Sequence, residues 1–86
     1  MQKRLFSIYD SKAKVFSAPF TSINSATAIR DFQRAACDPS SDICNFPEDY
    51  TLFEMASFDD NTGVIDYNLT PVNLGLAAQF KNPMEG

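Results

Sequence analysis

The stretch Tyr50-Thr51-Leu52-Phe53-Glu54-Met55-Ala56-Ser57-Phe58 carries apolar side chains at both even and odd positions. Successive side chains of a strand point to opposite faces. Phe53 and Met55 therefore fall on one face, and Leu52, Ala56 and Phe58 on the other. A strand apolar on both faces belongs in the middle of a sheet, or in a sheet with one face covered by a partner. The chain has 86 residues, enough for one thin core, since a domain of this size removes only about 60–65% of its unfolded surface from water. Every other segment must flank or cover this strand.

Upstream, Arg4 to Tyr9 reads as a strand with Phe6 and Ile8 on one face and Leu5, Ser7 and Tyr9 on the other. Asp10-Ser11-Lys12-Ala13 is a polar turn. Residues 14–20 follow as a second strand, ragged and at a sheet edge, because Pro19 has no N–H for a ladder. Asn24 or Ser25 supplies a helix N-cap. The helix runs to Ala36 or Cys37, with Ile29, Phe32 and Ala36 as its apolar stripe, Ala28 in support, and Thr27, Arg30, Asp31 and Arg34 toward water. Asp38-Pro39 stops it, since the residue before proline disfavours the helical conformation.

A polar connection over 38–49, anchored by Phe46, leads into the central strand. Asp59-Asp60-Asn61-Thr62-Gly63 makes a hairpin loop, with Gly63 free to take positive φ. Residues 64–69 form a fourth strand, and Thr70-Pro71 opens a short helix over 71–78. The tail frays from Lys81. The expected fold is a single α+β domain, β-β-α-β-β, with one helix packed on one face of a small antiparallel sheet. A hydrophobic content of 44% excludes a disordered chain, and eight Phe without a Trp point to a core built on phenylalanine.

No apolar run after Lys3-Arg4 is long enough for a secretory signal, and none approaches the roughly 18 residues of a membrane helix. The chain is expected in the cytosol with no membrane partner, which makes the glycosylation-type triplet Asn68-Leu69-Thr70 fortuitous. Cys37 and Cys44 are expected as free thiols in a reducing compartment, a disulfide being the lesser alternative. Without a His, two cysteines cannot complete a zinc shell.

The lack of His also removes the commonest acid–base catalyst. Three scattered glycines cannot build a phosphate loop, and no nucleophile elbow or Cys–His pair is present. Glu48/Asp49 and Asp59/Asp60 read as solvated turn carboxylates, and the 59–63 loop departs from the EF-hand pattern of calcium ligands. Neither an enzyme nor a cofactor or metal binder is expected.

The net charge of −4 is unevenly spread. Residues 1–34 hold six Lys and Arg against two acids, a net +4, whereas residues 35–86 hold one Lys against nine acids, a net −8. Such asymmetry can make a basic face on an acidic protein. Single-stranded nucleic acid is held by cations along the phosphates and by aromatic rings that stack on bases. Lys3, Arg4, Lys12 and Lys14 on the first hairpin fit the first role, with Arg30 and Arg34 sharing one helix face. Tyr9 and Phe16 fit the second. The same set also reads as a solvated surface around core aromatics.

Pro47-Glu48-Asp49-Tyr50-Thr51-Leu52-Phe53-Glu54 and Phe58-Asp59-Asp60-Asn61-Thr62-Gly63 form the most specific pattern in the chain. With Ser7-Ile8-Tyr9-Asp10-Ser11-Lys12, Ala28-Ile29-Arg30-Asp31-Phe32, Thr70-Pro71 and Leu74-Gly75, it resembles the small non-structural protein family of gokushoviruses. These are Microviridae, bacteriophages with circular single-stranded DNA genomes. The resemblance spans nearly the whole chain in the same order. It implies a counterpart of the microvirus early protein linked to switching replication toward single-stranded genome synthesis and packaging, a DNA-binding role in the cytoplasm of the bacterial host. It assigns no binding residues.

Two functions follow as expectations. One is a single-stranded-DNA-binding regulator using the basic and aromatic residues above. The other is a protein-interaction module acting on viral replication or capsid proteins without touching DNA. The two-faced strand favours a homodimer in the second case, because a second copy would bury the face left open.

Overall fold

Phe6 and Leu52, opposite in parity to Leu5 and Phe53, set the inside of the molecule. The computed structural model describes residues 1–81. Its elements are β1 (Gln2–Asp10), β2 (Val15–Phe16), β3 (Phe20–Ser22), α1 (Ser25–Cys37), α2 (Asp42–Asn45), β4 (Tyr50–Asp59), β5 (Ile65–Leu76) and α3 (Ala77–Phe80). The sheet is antiparallel throughout and ordered β2-β1-β4-β5, with β3 lying beside β2 on the same edge of β1. The expected α+β class is found, with β4 inside the sheet. The order of elements departs from β-β-α-β-β in three places.

The first departure is the outer strand of the hairpin. Instead of one strand over 14–20, β2 and β3 flank a break at Ser17-Ala18-Pro19. Ser17 bridges it: its N–H donates to the Ile8 carbonyl at 2.8 Å, and its hydroxyl accepts from the Ile8 N–H at 3.0 Å. Pro19 thus sits where no ladder donor is required.

The second is the connection over 38–49. Ser41 caps a single helical turn, α2, by accepting from the Ile43 N–H. Cys44 is buried there and Ile43 packs against the core, while Phe46, the expected anchor, is 57% exposed. Cys37 is exposed, and both cysteines are free thiols.

The third is the C-terminal helix. Thr70-Pro71 does not start one; β5 runs on to Leu76, and only Ala77–Phe80 turn helical. Between the pairs Ala56↔Tyr67 and Glu54↔Val72, residues 68–71 stand opposite Met55 alone. A proline is harmless in such a wide bulge because no partner there awaits its N–H. Lys81, expected in a frayed tail, donates from Nζ to the Cys44 carbonyl at 2.9 Å. The rest of that expected tail, residues 82–86, lies outside the described residues.

Helix α1 follows the sequence closely. Asn24 caps it, its Oδ1 accepting from the Thr27 N–H at 2.8 Å, and the chain turns extended at Asp38 before Pro39. Its small residues Ala28 and Ala36 bring the backbone close to the sheet, and Phe32 fills the space between. Phe6, Leu52, Ala28, Phe32, Ala36 and Ala77 form the buried cluster, with Ile8, Phe20, Leu74 and Phe80 packed around it. The helices therefore cover the side of the sheet that Phe6, Ile8 and Leu52 face.

Candidate nucleic-acid interface

The other side of the sheet is defined by register. Cross-strand partners share a face, and on β1 the odd residues lie opposite the core. The pairs Lys3↔Phe58, Leu5↔Ala56, Ser7↔Phe53 and Tyr9↔Thr51 therefore mark the side away from the helices. The register shifts between Leu5 and Phe6, because Met55 is bulged out of β4. This corrects the strand as read from alternation: Leu52 faces the helices, but Ala56 and Phe58 cross to the side of Phe53 and Met55. The bulge leaves Tyr50, Leu52, Glu54, Ser57 and Asp59 on the helix side and concentrates apolar and aromatic groups on the other.

Three rings gather there. Tyr9 and Phe16, paired across β1 and β2, have centroids 4.7 Å apart, and Phe53 of β4 meets Phe16 edge-on at 5.6 Å. Phe16 is 42% exposed. Further along, β5 adds Ile65 and Tyr67, which register with Phe58 and Ala56 on the same side. Among the described residues, Tyr67 is the most exposed of the large apolar and aromatic side chains, at 76%.

Charge divides between the two sides as sharply as apolarity does. The strand carboxylates Asp10, Glu54, Asp59 and Asp66 register with Tyr50, Phe6, Gln2 and Ser57, all on the helix side. Lys3 is the sole charged strand residue on the aromatic side. The strand carboxylates are thus all turned away from this surface.

The expected basic set is only partly assembled. Lys12 and Lys14 stand exposed in the turn between β1 and β2, at the Tyr9/Phe16 end. The Asp10 carboxylate accepts from the Lys12 and Ala13 N–H groups and shapes this turn, and Lys14 closes it at φ 60°. Lys12 also lines a shallow pocket with Asp10, Asp49 and Tyr50. Burial, and next the Asp10 charge, raise the Tyr50 phenol above its ordinary value.

Lys3 lies at the far end of the aromatic side, 3.7 Å from Asp60. A hydrogen bond from the N-terminal ammonium, opposed by burial and helped by Lys3, holds the Asp60 carboxyl below its ordinary value.

Arg4, Arg30 and Arg34 do not join this surface. Arg4 shares the parity of Phe6, and its guanidinium pairs with the buried carboxylate of Glu54. Arg30 and Arg34 are exposed on α1, on the opposite side of the domain, and Arg34 approaches Asp31 at 3.9 Å. Arg4 is held by Glu54 on the helix side of the sheet, away from the ring cluster. Arg4→Met should lower stability by roughly 1–3 kcal/mol, because it leaves a buried carboxylate without its donor, and it should leave any affinity for nucleic acid unchanged. Chemical denaturation beside a binding titration checks both.

Phe53 and Tyr67 are the surface residues that sequence reasoning missed. Phe53 was legible as an apolar strand residue, but only the register with Ser7 and the contact with Phe16 place it in the ring cluster. Among the described residues, no helix is long and apolar enough to cross a membrane.

The fold and this surface define a class: a small α+β domain whose antiparallel sheet is layered by helices on one side and presents on the other an aromatic surface to which no strand carboxylate is turned. The chain belongs to the phage ORF5 protein family, whose model matches residues 3–80. Neither a curated protein nor a solved structure matches the chain.

Proposed function

We propose that this phage protein is a non-enzymatic, single-stranded-DNA-binding regulator of viral genome synthesis or packaging, of gokushovirus type, working in the cytoplasm of the bacterial host. The observation that carries this reading is the segregation of groups by side. Stacking rings and no strand carboxylate share one side of the sheet, with a two-lysine turn at its end. Flat aromatic surfaces accept any base, and cations along their margin hold the phosphates. The Microviridae-like motifs support single-stranded DNA as the nucleic acid in question. The site comprises Tyr9, Phe16 and Phe53 for bases and Lys12, Lys14 and Lys3 for phosphates.

Lys14 gives this reading a sharp test. A side chain at positive φ costs about 1 kcal/mol that glycine would avoid. Lys14→Gly should thus leave stability unchanged or raise it by up to about 1 kcal/mol, yet weaken binding. The measurement is fluorescence anisotropy of a labelled single-stranded oligonucleotide at two salt concentrations beside a duplex control. Binding that prefers the single strand, weakens with salt and weakens further in Lys14→Gly is expected. No binding at tens of micromolar would sink the proposal.

A second reading has its own observation. Leu5, Pro19, Phe20, Thr21, Phe58 and Ile65 line a shallow, mostly apolar depression of about 570 Å³ at the sheet end remote from the lysine turn. Such a surface suits a protein partner, either a viral replication or capsid protein or a second copy in a homodimer. Sedimentation of a stable monomer at high micromolar concentration would remove the homodimer.

A further inference from the structure

A cavity of about 350 Å³ lies on the aromatic side, between the ring cluster and the bulge of β5. Its lining includes Leu5, Met55 and Ala56, with Phe16, Tyr67 and Asn68 around them. The volume stands at the lower end of the roughly 300–1,000 Å³ typical of small-molecule pockets, suited to a single planar ring system. Two features separate it from a core defect. Tyr67 is largely exposed beside it, and Asn68 brings an amide to a lining that is mostly apolar apart from Ser7 and Ser17.

The position of Asn68 follows from the bulge. It is the first of the four residues that stand opposite Met55. Its Nδ2 donates to the Glu54 carbonyl at 3.2 Å, an anchor that fixes the amide beside the cavity. One N–H is engaged there; among the described residues the second N–H and Oδ1 take no protein partner and form an adjacent donor and acceptor. An asparagine amide presenting that pair matches the N6 amino group and ring nitrogen N7 of adenine.

We infer that this cavity receives one splayed-out nucleobase of the bound strand, stacked against Phe16 or Tyr67 and read by Asn68, with adenine as the preferred base. The inference rests on the single-strand reading above and adds base selectivity to it. Sequence-specific recognition of single strands works this way, by stacking unpaired bases on aromatic side chains and bonding their edges. The occupant is argued from charge as well as shape, since no strand carboxylate faces this side of the sheet to repel the phosphates of the same strand.

The test is a competition titration with equal-length oligo-dA, oligo-dC and oligo-dT against a labelled mixed-sequence single strand. Wild type should favour oligo-dA by roughly tenfold, the discrimination expected of one amide–adenine pair, and Asn68→Ala should reduce the preference to within about twofold. Because Asn68 also anchors the bulge, the largely exposed Tyr67→Ala serves as a second variant; it should weaken oligo-dA binding more than oligo-dT binding. Single-strand binding with no base preference, or with a preference that survives both substitutions, overturns the inference and leaves the proposed function standing. Failure of wild type to bind any strand overturns both. In that outcome, a concentration-dependent dimer disrupted by Tyr67→Ala would identify the occupant as a second copy of the chain.

Discussion

Phe6→Ala should destabilise the domain by about 3–5 kcal/mol, the range for removing a buried aromatic ring. Phe6 is fully buried on β1, its ring 5.9 Å from that of Phe20, in the same cluster as Phe32 and Ala28 of α1. A domain of this length has a total stability of roughly 4–13 kcal/mol, at about 0.05–0.15 kcal/mol per residue. The substitution thus removes a large share of it. At about 4–8 °C per kcal/mol for a domain of this size, the melting midpoint should fall by tens of degrees, and weaker members of that range would be unfolded at room temperature. Thermal denaturation followed by circular dichroism measures this. A fall of only a few degrees would mean that the helices are not seated on the Phe6 side of the sheet, and the division of the sheet into two sides would fail with it.

Much of that division is legible from alternation alone. Phe6 and Ile8 against Leu5, Ser7 and Tyr9 needs only the two-residue period of a strand, and the register of β1 agrees. The same parity puts Arg4 with Phe6 on the helix side, whereas its pairing with Glu54 follows only from the bulged register of β4. Helix α1 was legible because cap, apolar stripe and proline stop all agree, and agreement between levels is what makes a segment readable.

Bulges are different, because they belong to two strands at once. Nothing in Glu54-Met55-Ala56 announces that Met55 will be squeezed out, yet that event carries Ala56 and Phe58 across the sheet. Nor does Thr70-Pro71 announce a wide bulge; locally it reads as a helix start, and pairing with β4 overrides it. The candidate interface inherits this split. Tyr9 and Phe16 were foreseeable as neighbours, whereas the membership of Phe53 and Tyr67 and the exclusion of Glu54 and Asp66 depend on the bulged register.

Phe16→Ala then separates function from fold. The ring is nearly half exposed and meets Tyr9 and Phe53 rather than the buried cluster. Its loss should cost about 1–3 kcal/mol of stability, the worth of two aromatic contacts at about 0.5–1.5 kcal/mol each, and leave the domain folded. Removing one stacking ring weakens single-strand binding by about 1–3 kcal/mol, which is roughly 5- to 150-fold in affinity. Phe6→Ala and Phe16→Ala exchange one Phe for one Ala ten positions apart, so the pair controls for chemistry and differs in which side of the sheet is touched. Anisotropy titrations on the folded Phe16→Ala protein give the decisive comparison. Affinity within about twofold of wild type would assign the ring cluster to packing alone, since even one stacked base is worth more than that. The aromatic side of the sheet would then have to be read as a surface for protein.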